Sequence, residues 1–183
     1  MKNVNDDLRE SAKEGHAERV SALLLHAKCD PMSQNESGFT TLMLAAGSGH
    51  TACLQLLLPV SNAKTTTEDG ITALMWAAAN GQATCLKLLL PVNDASSQDK
   101  RGMTALMWTA SLGHTGCVKL LLPLCEPTDQ CNLGKPAISY ARAYGHNETA
   151  AFIDAYIQAA TEVAALKGAT APGKAGKSSS LRV

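Results

Sequence analysis

Aromatic residues are scarce in this chain: two Trp, three Tyr and two Phe make up 4% of its 183 residues. A β-sandwich core draws on Val, Ile and aromatics, so the scarcity counts against one. An excess of charge is also lacking. Sixteen Lys and Arg stand against sixteen Asp and Glu, for a formal net charge of zero. No field is therefore expected to grip nucleic acid or an anionic membrane. No apolar run approaches the length needed to span a bilayer. The opening M-K-N-V-N-D-D-L-R-E is too polar for a secretory leader. These absences predict a cytoplasmic protein that binds neither nucleic acid nor membrane, with cytoskeletal or nuclear placement left open.

What is abundant is Ala and Leu, within a hydrophobic content of 45%. That suits thin layers of closely packed helices and counts against wholesale disorder. Six cysteines are present, and three of them (Cys53, Cys85, Cys117) recur at one place in apolar helical stretches. They are read as small buried hydrophobes, reduced and not paired.

Self-similarity organises the rest. Glycine-headed segments start at Gly38, Gly70, Gly102 and Gly134, each 32 residues after the last, as in G-I-T-A-L-M-W-A-A-A-N-G-Q. A second block keeps the same step: T-A-C-L-Q-L-L-L-P, A-T-C-L-K-L-L-L-P and T-G-C-V-K-L-L-L-P. Residues 8–25 are a more polar copy, 34 residues ahead of the next. Each unit reads as two short antiparallel helices. Thr40, Thr72 and Thr104 stand at N-cap positions. Leu42, Ala45 and Ala46 follow at helical spacing, with small alanines letting neighbouring units approach. Gly49, Gly81, Gly113 and Gly145 stop the first helix, and Pro59, Pro91 and Pro123 are expected to end the second.

The pattern G-x-T-x-L-M-x-A-A-x-x-G-H followed by C-L-x-L-L-L resembles the ankyrin repeat, over roughly residues 4–160. The variant T-A-L-M-W-A-A looks most like arrays abundant in certain protists, some standing alone and others joined to kinase domains. No kinase signature occurs here, so the resemblance is to the stand-alone kind. It implies an all-α solenoid of stacked helix-turn-helix units joined by hairpin-like turns. The expected units are about 4–34, 35–66, 67–98, 99–130 and 131–166, followed by a disordered basic tail over 167–183. Met43, Met75 and Met107 replace the family's usual His. The prolines replace its Gly-Ala-Asp turn, so the outer helices should be short. Pro136 stands where a Thr should cap, and Arg142 where a packing Ala belongs, as expected of a unit with nothing stacked beyond it. A long last helix, about Asn147 to Leu166, presents Phe152, Ile153, Tyr156, Ile157, Ala160 and Ala164 on one face. It is expected to lie as a lid on the last repeat and to end at Gly168. A monomer is expected, with a dimer through this helix as the alternative.

Chemistry-bearing motifs are weak. A-P-G-K-A-G-K-S near the end loosely fits a phosphate loop but lacks the strand and helix that would frame one. His50 with Cys53 and His114 with Cys117 suggest metal pairs, but Gln82 breaks the series. The resemblance makes the Gly-His position structural, bridging backbone between units. Cys125 and Cys131 have no usual zinc spacing. Buried thiols are poor nucleophiles, and no carboxylate pair stands out. No enzyme activity, cofactor or metal is expected. The terminal Leu181-Arg182-Val183 could enter a carboxylate-capturing groove, although such endings are common.

Binding residues follow from the resemblance, because arrays of this kind bind proteins through hairpin tips and the exposed ends of inner helices. Matching positions are Glu36, Phe39, Glu68, Asp69, Ile71, Lys100, Arg101, Met103 and Lys135 at the tips. On the inner helices they are Ser48, Asn80, Leu112 and Tyr144. Leu44, Trp76, Trp108 and Tyr140 share one repeat position and should form an aromatic stripe, either framework packing or partly exposed anchors. The tips run from acidic to basic along the chain, and the concave positions grow bulkier toward Leu112 and Tyr144. The expected function is a non-enzymatic protein-binding module. The alternative is an architectural or cytoskeleton-associated protein that self-associates.

Overall fold

A computed structural model of the chain describes residues 3–26 and 28–169. The basic tail, its phosphate-loop-like run and the terminal Leu-Arg-Val lie outside the described residues, apart from the backbone of residues 167–169. Among the described residues ten α-helices pair into five units: α1 (Val4–Glu14) with α2 (Ala17–Leu24), α3 (Thr41–Ser48) with α4 (Thr51–Leu57), α5 (Ala73–Ala79) with α6 (Ala83–Leu89), α7 (Ala105–Leu112) with α8 (Thr115–Leu121), and α9 (Ala137–Ala143) with α10 (Asn147–Ala169). The first helices of successive units pack in the order α1, α3, α5, α7, α9, and the second helices form the parallel layer α2, α4, α6, α8, α10. Among the described residues there are no strands, only isolated bridges (Gln34 with Thr40, Thr66 with Thr72) that close two hairpin tips. The all-α solenoid is the fold.

Local chemistry sets the helix ends. The hydroxyls of Thr40, Thr72 and Thr104 accept the backbone N–H of Met43, Met75 and Met107 at 3.2–3.3 Å, which satisfies one of the free donors of each inner helix. Pro136 offers α9 no such side-chain cap. Outer helices α4, α6 and α8 span seven residues each. Each ends two residues before its proline, as the sequence suggested. Each helix tightens into a 3₁₀ turn (Leu58–Val60, Leu90–Val92, Leu122–Leu124) with the proline near its start. There the fixed φ fits and the missing N–H costs nothing.

The core is one continuous layer between the helix rows. It includes the Ala45–Ala46 and Ala77–Ala78 pairs, the three methionines, Cys53, Cys85, Cys117 and the leucines beside them. Burying each Leu is worth about 1.5–3 kcal/mol, and most of them need a neighbouring unit to be buried. Thr41 carries one of the buried polar atoms left unsatisfied: its hydroxyl is enclosed with no hydrogen-bond partner among the described residues. The equivalent residues in later units are Ala73, Ala105 and Ala137. Thr41→Ala is therefore expected to raise stability by about 1 kcal/mol, read as a higher Tm in a thermal melt.

Units also interlock. The glycine after each inner helix is in the left-handed region, with φ of 71–85° at Gly15, Gly49, Gly81 and Gly113. The side chain of the following unit lies directly on it: His50 on Gly15, Gln82 on Gly49, His114 on Gly81 and His146 on Gly113. The imidazoles of His114 and His146 also place Nε2 at 3.0 and 3.1 Å from the carbonyls of Ala79 and Ser111 in the preceding unit. The Gly-His position thus bridges units, and a metal role is not needed to explain it. A similar fit holds Trp76, whose indole would meet a methyl placed at Gly47 at 2.2 Å.

Both ends of the stack are closed by an ion pair. At the start, Asp7 and Arg19 meet at 2.7 Å, in the repeat positions where the third unit buries Ala73 and Cys85. At the end, Arg142 and Asp154 meet at 3.1 Å, where the fourth unit buries Ala110 and Leu122. Exposed pairs of this kind add little stability. Their effect is to give the array polar outer faces.

The last helix departs from expectation in its second half. Ile153 is buried, with Phe152, Tyr156 and Ile157 packed against the core. Ala160 and Ala164 are exposed, as are Val163 and Leu166. The helix therefore packs tightly only with its first turns, and its second half borders an open groove in which Ala160 and Ala164 face Leu122, Pro123 and Leu124. It does not stop at Gly168 but continues to Ala169.

Candidate functional site

Each hairpin tip is organised by one residue at a fixed repeat position: Asn35, Thr67, Asp99 and Cys131. Asn35 Oδ1 accepts the backbone N–H of Ser37 at 3.1 Å and of Phe39 at 2.9 Å. Thr67 Oγ1 accepts from Ile71 at 3.2 Å. Asp99 Oδ1 accepts from Arg101 and Met103, both at 2.9 Å. At the fourth tip the sulfur of Cys131 takes this part, accepting the Leu133 N–H at 3.4 Å and lying 3.0 Å from the Tyr140 hydroxyl. Burial would raise the Cys131 thiol, but donors from Tyr140, Lys135 and Leu133 outweigh it and bring the thiol below its ordinary range. The same contact, with burial behind it, pushes the Tyr140 hydroxyl up to about 12. Burial raises the thiols of Cys53, Cys85 and Cys117. Cys125 is pushed up to about 12 by burial and then by the nearby carboxylates, Asp129 first.

The third and fourth tips are also tied to their predecessors. The Lys100 N–H donates to the Asp69 carbonyl at 2.9 Å, and the Asn132 N–H to the Arg101 carbonyl at 3.0 Å. Asn132 Nδ2 donates to the Lys100 carbonyl at 3.0 Å. These bonds make the third and fourth tips a fixed wall, not two independent loops.

Between that wall and the inner helices lies a cleft of about 520 Å³. The tips contribute Lys100, Arg101, Asn132 and Leu133; helices α7 and α9 contribute Trp108 and Ser111, then Tyr140 and Tyr144. Met103 also lines it, from a position only 6% exposed. The Arg101 guanidinium sits 4.6 Å from the centre of the Trp108 ring. A long 3.5 Å contact to the buried Asp99 steadies it, while its side chain stays 64% exposed. Leu133 and Tyr144 are 75% and 63% exposed. The Trp108 Nε1–H is enclosed with no acceptor among the described residues.

Of the positions expected to bind, Lys100, Arg101, Met103, Trp108, Tyr140 and Tyr144 come together in this cleft. Met103 is too buried to act as a tip contact, because its backbone is drawn in by Asp99. Glu36, Glu68, Asp69 and Lys135 are exposed on tips outside the cleft lining, and Ser48 and Leu112 are exposed on the inner helices. Asn80 is exposed but its Nδ2 turns back to the Trp76 carbonyl at 2.8 Å. Phe39 and Ile71 are half-buried, Phe39 packed on Trp76 with ring centres 4.8 Å apart. The aromatic stripe is half-buried at Leu44, Trp76, Trp108 and Tyr140. Asp99 and Cys131 had gone unnoticed as tip organisers. The 32-residue step that aligns them with Asn35 and Thr67 is the signal that finds them.

Among the described residues, no three His, Cys, Asp or Glu side chains gather where they could hold a metal ion. No helix among them is long and apolar enough to cross a membrane. A family model described as ankyrin repeats (3 copies) matches residues 8–94 and 85–159. No curated protein matches the chain.

Proposed function

We propose that this chain, which belongs to the ankyrin-repeat family, is a non-enzymatic module that holds a protein partner against its hairpin tips and concave inner-helix face. Ankyrin repeats are generic protein–protein interaction modules. The observation that carries the reading for this chain is the cleft of the fourth and fifth units. It is concave, mainly apolar and aromatic, and framed by backbone-tied tips. Exposed Tyr and Arg beside a half-buried Trp are the residue types that anchor interfaces, and a rigid frame lowers the ordering cost of binding.

Affinity capture with the chain immobilised, run beside a Leu133→Asp, Tyr144→Asp double variant, checks this. Both side chains are exposed, so the fold should survive the change. A captured protein whose affinity falls tenfold or more in the variant supports the reading; equal retention by both contradicts it.

The second reading is architectural, by self-association. It is favoured by one observation, the exposed Val163 and Leu166 in the C-terminal half of α10. The ion pairs at both ends of the stack speak against end-to-end stacking. Sedimentation at high concentration separates the two, with a monomer expected.

A further inference from the structure

We infer that the cleft of the fourth and fifth units takes an extended partner segment in which an Asp or Glu stands within two residues of a large apolar side chain. This rests on the binding reading above and adds the chemistry of what is bound.

Charge supports the acidic half. Lys100 and Arg101 stand on the cleft wall, and no carboxylate lines it. The nearest one, Asp99, has its side chain only 1% exposed. It is occupied by the N–H groups of Arg101 and Met103. It therefore holds the guanidinium from behind without competing at the mouth. Arg101 is held between the Trp108 ring and Asp99, with Nη2 turned to Asp99 Oδ2 at 3.5 Å and the side chain still 64% exposed. Such a group recognises a carboxylate with two parallel hydrogen bonds, and little side-chain entropy remains to be lost.

Location supports the same reading. One unit earlier the positions of Lys100 and Arg101 are filled by Glu68 and Asp69. The preceding tip would thus repel the anion that this one attracts, which fixes an acidic segment to a single place along the array.

The apolar half follows from Leu133 and Tyr144, two large side chains of the cleft lining that reach solvent, Leu133 on the tip wall and Tyr144 at the end of α9. In an extended peptide, residues i and i+2 share a face about 7 Å apart. An acidic and an apolar side chain at that spacing can enter together, one to Arg101 and one between Leu133 and Tyr144.

The test selects random dodecapeptides displayed on phage against the immobilised full chain, then titrates synthetic hits by calorimetry. Hits rich in Asp or Glu beside Phe, Trp or Leu are expected. Their affinity should fall at least tenfold in Arg101→Glu, and again when the peptide acid becomes its amide. Lys100→Glu serves as a second variant if thermal melting shows Arg101→Glu to be unfolded. Hits that lose affinity in Leu133→Asp but not in either charge reversal would overturn the acidic segment and leave the binding reading standing. No hits, or hits indifferent to all three variants, would overturn both. A phosphoserine in place of the acid that binds tenfold or more tighter would also overturn the carboxylate assignment, in favour of phosphate.

Discussion

Leu86→Ala is expected to lower the unfolding free energy by about 2–5 kcal/mol, the largest loss from any single truncation considered. Leu86 is fully buried on α6, and α6 packs against α5 in its own unit and against α4 and α8 on either side. The side chain is thus sheltered by three units, none of which can close over the gap without pulling away from another. Urea unfolding followed by far-UV circular dichroism and by tryptophan fluorescence checks it. Trp76 and Trp108 report on the third and fourth units, so both signals should shift together if stability is shared between neighbours. A loss below about 1 kcal/mol would mean that the layer relaxes more freely than this packing allows.

Gly113→Ala is expected to cost about 2–4 kcal/mol, and Gly145→Ala about 1–2 kcal/mol. The two residues share a backbone conformation, with φ of 74° and 78°. Both substitutions therefore carry the same left-handed penalty. They differ in what the new methyl meets. At Gly113 it would lie 2.5 Å from Nδ1 and 2.8 Å from Cγ of His146, whereas at Gly145 nothing lies within 4 Å. Moving the His146 ring also breaks its 3.1 Å contact to the Ser111 carbonyl. The difference between the variants measures the interlock between two units directly. His146→Ala introduced beside Gly113→Ala should recover part of that difference, as a double-mutant cycle resolves. Equal losses at Gly113 and Gly145 would show that the ring yields at no cost.

The fold was legible because a 32-residue period repeats every element of local chemistry together: cap, apolar stripe, glycine stop and proline. When all of these agree, tertiary context has little left to decide. The prolines do mark the ends of the outer α-helices, and what they left unseen is the single 3₁₀ turn that accepts each proline near its start. The last helix was misread because its alanines continue an apolar face beyond the neighbour available to cover it. Ala160 and Ala164 carry the right pattern but only line an open groove across from Leu122, Pro123 and Leu124. Arg142 gave the end of the stack, whereas its partner Asp154 was hidden by distance along the chain.

The candidate site was legible in position and less so in mechanism. Repeat matching placed Arg101, Trp108 and Tyr144 on one surface. It could not show that Arg101 lies on the Trp108 ring, because that depends on Asp99 turning inward. Nor could it place Met103 below the surface or join Cys131 to Tyr140. Both depend on how the tip folds back, a matter of single hydrogen bonds and not of the period.

The most direct test of the stacked-unit account is the removal of one whole unit, residues 67–98, which joins Thr66 to Asp99 in register. In the shortened chain Gly47 would face Trp108 where it now faces Trp76, and Gly49 would receive His114 where it now receives Gln82. Urea unfolding should still give one cooperative transition, with a helical circular dichroism spectrum and an m-value reduced in proportion to the surface removed. A shortened chain that is unfolded, or that unfolds without cooperativity, would contradict the claim that these units are equivalent and sheltered by one another.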